Sequence, residues 1–145
     1  MADDFDIQGA LGLSKKLKML SAQASGRAIR TSVSYALTPV VKSARSRAPK
    51  GSVAHKTYQG RTVAPGFMSR SIKKRSKISK DKSAAYASVT VDPEAFYGIF
   101  VEKGLDNKDY QARPWLGPAF RGNRALMLRR YSEKLKERIR IEAAK

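Results

Sequence analysis

The densest run of charge in this sequence is Arg70-Ser71-Ile72-Lys73-Lys74-Arg75-Ser76-Lys77-Ile78-Ser79-Lys80-Asp81-Lys82. Its cations are Arg70, Lys73, Lys74, Arg75, Lys77, Lys80 and Lys82. Such a run neutralises phosphates without reading bases, and its binding weakens steeply with salt. Side chains alternate along a strand, so residues 73, 75 and 77 share one face as a charged stripe. The same lysines would also guard an edge strand against unwanted pairing, and the two readings are compatible. A second stripe runs along a helix through Arg27, Arg30, Lys42 and Arg45. Neither stripe has a recognition-helix pattern or zinc-finger spacing, and neither interleaves aromatic residues for stacking on single strands.

Other chemistry finds little support. The one histidine, His55, has no acidic neighbour in sequence, and there is no cysteine, which excludes a His/Cys transition-metal site. Asp106 and Asp109 are close in sequence but are flanked by Lys103 and Lys108, the pattern of a surface loop. No phosphate-binding glycine loop ends in Gly-Lys-Ser/Thr, and no Gly-x-Ser-x-Gly elbow is present. A serine nucleophile would have only lysine or a distant carboxylate as its base. The expectation is a protein that is not an enzyme and needs no cofactor.

The surrounding composition sharpens the charge argument. The chain has 145 residues, 41% of them hydrophobic, and a formal net charge of +18. From Ile7 to Lys80 there are 17 Lys and Arg and no Asp or Glu. A stretch like this repels itself when folded, so a polyanion or an acidic partner is its natural counter-charge. A solvated basic face without further use is the plainer alternative. The length suits a single domain over residues 1–145. The absence of cysteine suits folding in a reducing cytoplasm. No apolar run approaches a membrane span of about 20 residues. The opening Met1-Ala2-Asp3-Asp4-Phe5-Asp6 is acidic, unlike a secretory signal.

The elements that must carry these residues follow from periodicity. Ile7, Leu11, Leu17 and Leu20 suggest a short amphipathic helix. Ile29, Val33, Leu37, Val40, Val41, Ala44 and Ala48 trace the clearest helix, over residues 24–48, which Pro39 should kink or divide. Ala48-Pro49 ends it. Residues 50–66 have loop composition and are expected to form a flexible basic loop, either a functional arm or a mobile hairpin tip. Residues 72–78 and 85–91 alternate as two antiparallel strands joined at Lys80-Asp81-Lys82-Ser83. Residues 95–103 fit a short helix or a third strand. Residues 104–117 form a loop, and Gly117-Pro118 opens a last helix reaching about Ala143. The sum is an α+β fold, long N-terminal helices and a C-terminal helix packed on a small antiparallel β-sheet.

Four short patterns fall in order along this framework. They are the helix ending in Ala48-Pro49, then Gly66-Phe67-Met68 with Ser71-Ile72, then Phe96-Tyr97-Gly98 with Val101-Glu102-Lys103-Gly104, then Arg113-Pro114-Trp115-Leu116-Gly117-Pro118-Ala119-Phe120. Together they resemble the small head–tail joining or tail-completion proteins of long-tailed, lambda-like phages. The resemblance spans residues 24–143. The sequence departs from that pattern in its long 50–65 loop, in Pro65 and Met68, in Lys103 and Leu105, and in Trp115 where phenylalanine is usual.

The resemblance implies a tail-terminator-like fold and a virion protein of the neck, made in the bacterial host cytoplasm. It further implies a homo-oligomeric ring, expected to hold six copies, around packaged double-stranded DNA. Head connector or stopper proteins would lie on one side and the tail tube or terminator on the other. Glu102, Arg113, Trp115, Leu116 and Phe120 are then candidate core anchors or subunit contacts, with Glu102 pairing with a basic residue of its own chain or a neighbour. The alternative from charge alone is a small basic protein that binds nucleic acid non-specifically.

Overall fold

Proline and asparagine mark two of the breaks between helices. In the computed structural model, which describes residues 7–104 and 111–145, the chain opens with α1 (Ile7–Lys18). Helix α2 (Ala22–Ala36) begins at Ser21, whose hydroxyl accepts the Ala24 N–H at 3.1 Å. Leu37 interrupts it, and α3 (Thr38–Arg47) restarts with Pro39 in its first turn, where a missing N–H costs nothing. The proline therefore divides the helix. The expected last helix is also two: α6 (Gly117–Gly122) and α7 (Arg124–Ala143). Asn123 separates them, its side-chain amide donating to the Ala119 carbonyl at 2.8 Å. The 95–103 ambiguity resolves as a 3₁₀ turn (Pro93–Ala95) followed by α5 (Gly98–Lys103).

Residues 50–66 contain a small antiparallel pair, β1 (His55–Lys56) and β2 (Thr62–Val63), with His55 opposite Val63. The one-turn helix α4 (Phe67–Arg70) follows. The alternating segments form a second hairpin, β3 (Lys73–Ile78) and β4 (Ala85–Thr90). The fold is α+β, with two small hairpins in place of one sheet.

The chain divides into two compact units. The first comprises residues 1–39, 75–88 and 124–145. Its core is Leu13, Ala28, Leu135 and Ile139, with Leu17, Leu20, Ile29 and Tyr131 packed around them. Helices α2 and α7 run antiparallel, since Arg27 meets Glu142 while Tyr35 meets Arg130. The face that α2 buries is a ridge of small residues, Ala24, Ala28, Ser32 and Ala36, spaced by four. Ile29 and Val33, expected as its apolar stripe, flank that ridge half-buried. Small side chains let the helix backbones approach closely, which periodicity of large apolar residues does not register. In α1 the packed positions are Leu13 and Leu17, while Leu11 is 59% exposed, so the expected face is rotated.

The second unit comprises residues 40–74 and 89–123. Val40, Ala44, Ile72, Ala95 and Ala119 are fully enclosed, with Met68, Val101 and Trp115 nearly so. Gly98 permits close apolar packing here. A Cβ at that position would sit 3.3 Å from Met68 Cε and 3.4 Å from the Trp115 ring.

Candidate interaction surfaces

The β3–β4 hairpin presents its cations to solvent. Lys73, Lys74, Arg75 and Lys77 are exposed along β3, and Lys80 and Lys82 are exposed in the connecting turn. The turn is built around Asp81, whose carboxylate accepts from the Ser79 hydroxyl at 2.6 Å and the Ser83 hydroxyl at 2.7 Å. These hydroxyls, then the Ser83 N–H, hold Asp81 down to about 2. The acid within the run is thus occupied by serines and stays ionised. Arg70 is spent elsewhere: its guanidinium donates to the carbonyls of Pro65 at 2.5 Å and Ala64 at 3.1 Å, closing the loop around Gly66.

The helical cations are mostly committed inside their own units. Arg27 pairs with the Glu142 carboxylate at 2.8 Å. Arg30 donates to the Ser76 hydroxyl at 3.1 Å, and Arg45 donates twice to the Ile72 carbonyl, at 3.0 and 2.7 Å. Lys42 is exposed. Glu142 is almost wholly enclosed and also accepts from Arg138 and Lys145. The Arg27 hydrogen bond is the main reason its carboxyl falls to about 2, against burial that pushes it up.

Glu102 has a role that composition did not suggest. Its carboxylate accepts the N–H groups of Trp115 at 2.6 Å, Leu116 at 2.8 Å and Gly117 at 2.9 Å. These are orphan donors at the start of α6. The primary partners of Glu102 are therefore backbone groups, with Arg121 adding only favourable charge. Burial pushes this carboxyl up, but the three N–H bonds and Arg121 outweigh it and leave it below its ordinary value. Trp115 is buried, and its indole N–H donates to the Gly98 carbonyl at 3.0 Å. Leu116 and Phe120 are half-buried. Arg113 is exposed, while its backbone N–H donates to the Val101 carbonyl at 2.8 Å. Trp115 is thus a core anchor, and Arg113 lies on the surface.

A third feature went unread in the sequence. Tyr58, Phe96, Ile99 and Phe100 are all substantially exposed. The Phe96 ring stands edge-on to Tyr58 at 5.8 Å and to Phe100 at 6.1 Å. Exposed aromatic groups that touch one another mark a protein interface more often than a solvated surface. The i, i+3, i+4 spacing of residues 96, 99 and 100 was the available signal, hidden because helix and strand were equally plausible there. The β1–β2 hairpin that carries Tyr58 is tied down by Glu94, which accepts from the Thr57 hydroxyl at 3.2 Å and pairs with Arg61 at 2.9 Å.

Among the described residues no group of His, Asp or Glu could hold a metal ion, and no helix is long and apolar enough to cross a membrane. Asp106, Lys108 and Asp109 lie outside the described residues, as does the acidic opening Met1–Asp6.

The family model described as "Bacteriophage HK97-gp10, putative tail-component" matches residues 12–104. The chain belongs to the HK97-gp10-like family. It is accordingly a structural bacteriophage tail component and not an enzyme, and its partners are other virion proteins. The match takes in the small-residue ridge of α2, both hairpins, the aromatic patch and Glu102, and it ends before the Trp115 motif. Glu102 joins the matched part to that motif, together with the Gly98 and Val101 carbonyls. Neither the curated proteins nor the solved structures compared with the chain gave a match.

Proposed function

We propose that this HK97-gp10-like chain is a tail-completion subunit of the neck. Six copies form a ring between the head connector and the tail tube, around the DNA channel. The observation that carries this reading, beside the family, is the exposed cationic face of the β3–β4 hairpin. Its one acid, Asp81, is held by Ser79 and Ser83. A ring around DNA places such a face toward phosphates or toward an acidic neighbouring protein. A lumen through which DNA slides needs weak, sequence-blind attraction, which lysines and arginines on a strand supply and base-reading motifs do not. The aromatic patch of Tyr58, Phe96 and Phe100 is suited to a stable contact with a second virion protein.

Electron cryo-microscopy of the intact neck tests this assignment. The expected result is a sixfold ring at the head-proximal end of the tail that accepts this fold, its β3–β4 hairpins directed inward. Density for the chain at the distal tip of the tail, or as isolated copies along the tube, would contradict it.

A further inference from the structure

A cleft in the second unit has a composition of its own. Phe67, Met68 and Val101 form an apolar floor, and Lys50, His55 and Arg113 stand at its edge. It encloses about 480 Å³, and among the described residues that line it none is an acid. Among the described residues, no carboxylate pairs with Lys50 or Arg113. An apolar floor beside the charges of Lys50 and Arg113 fits a short peptide that carries an aromatic or aliphatic side chain among carboxylates.

The chain itself contains such a segment. Asp3, Asp4 and Asp6 surround Phe5, and no cationic side chain occurs before Lys15. These are the only acids before Asp81. The other acidic stretch near the cleft in sequence, Asp106 to Asp109, places Lys108 between its acids and offers less net charge.

We propose that the cleft receives the segment Ala2–Asp6 of a second copy of this chain. The aromatic side chain of Phe5 suits the apolar floor of Phe67 and Met68, and the three aspartates suit the charge of Lys50 and Arg113. This deepens the ring assignment and rests on it. A donor segment and a receptor cleft at different places on one chain form a head-to-tail interface, which closes into a ring when the rotation per subunit allows. It also gives the acid-free stretch from Ile7 to Lys80 a counter-charge supplied by the neighbouring subunit.

The absence of native cysteine makes a direct test clean. Ala2→Cys and Val53→Cys place one thiol on the segment and one on the exposed wall of the cleft. Phage carrying both substitutions are oxidised, and the purified particles are run without reductant. The expected result is a ladder at multiples of the chain mass. Adding Lys50→Glu and Arg113→Glu should lower its yield about tenfold, as expected for reversing two rim charges.

A band at monomer mass, in joined particles that contain the chain, would overturn the docking while leaving the ring assignment intact. A fast-migrating internal cross-link would overturn it equally, since the segment would then dock on its own copy. A ladder unaffected by the charge reversals would rule out this cleft as the receptor. Chain absent from particles would overturn the ring assignment instead, and the same ladder assay on concentrated purified protein would then decide the docking alone.

Discussion

The Glu102 carboxylate accepts the Trp115 backbone N–H at 2.6 Å, and the same carboxylate caps the next two N–H groups of the chain. One acid in α5 thereby fixes both the start of α6 and the backbone from which the buried indole hangs. Glu102→Ala should destabilise the second unit by about 1–3 kcal/mol, because it strands partly buried donors. Glu102→Gln, which keeps one acceptor oxygen, should cost less. Thermal melts followed by the emission of Trp115, the only tryptophan, measure both.

The same carboxylate makes the second unit acid-sensitive. Its folded pKa lies below the ordinary 4.5. The stabilisation it provides is therefore complete above that value and is lost as pH falls through the folded pKa. Melting temperature should drop on acidification below about pH 4.5, and Glu102→Gln should flatten that drop. An unchanged slope in the variant would place the acid sensitivity elsewhere.

Glu142 plays the corresponding part in the first unit. Its carboxyl is held at about 2, first by Arg27. By the same sign argument, its contribution is present above 4.5 and lost toward pH 2. Glu142→Gln should lower the melting temperature at neutral pH and leave little further loss on acidification. Circular dichroism, dominated by α2 and α7, is the suitable readout.

The ridge of small residues on α2 leaves no room for a larger one. Ala28 is fully buried in the core. Ala28→Leu should cost about 1–3 kcal/mol through overpacking. Equilibrium denaturation checks this, and a neutral result would mean that α2 and α7 are not closely packed at this position.

The stripe on β3 should behave as a surface feature. Replacing Lys73, Arg75 and Lys77 together by glutamine should leave the fold's circular dichroism unchanged. If the stripe faces phosphates, DNA binding measured across salt concentrations should weaken, with its log–log slope reduced by about three. An unaltered slope would assign the stripe to a protein partner or to edge protection.

Much of this architecture was legible because local rules governed it. Pro39 divides its helix as backbone sterics require, and the alternation of residues 72–78 and 85–91 forms the expected hairpin. The breaks and faces that escaped notice depended on tertiary context. Asn123 ends α6 through a side-chain bond to Ala119 that no periodicity encodes. The buried face of α2 is made of alanine and serine, whose burial follows from the partner helix rather than from hydrophobicity. Among the candidate site residues, the exposure of Lys73, Arg75 and Lys77 agrees with alternation, whereas Lys74, on the opposite face, is exposed as well. Arg27, Arg30, Arg45 and Arg70 read as available charge but are bonded within their units. That distinction requires knowing which carbonyl or carboxylate lies opposite. The aromatic patch was missed for a related reason: exposure of a large side chain is a property of the fold.

The most direct measurement of the central assignment is negative-stain microscopy of lysates from phage lacking this gene. The expected result is DNA-filled heads and finished tails that remain separate, with joining restored when the chain is supplied in trans. Joined, infectious particles formed without the chain would contradict its assignment to tail completion at the neck.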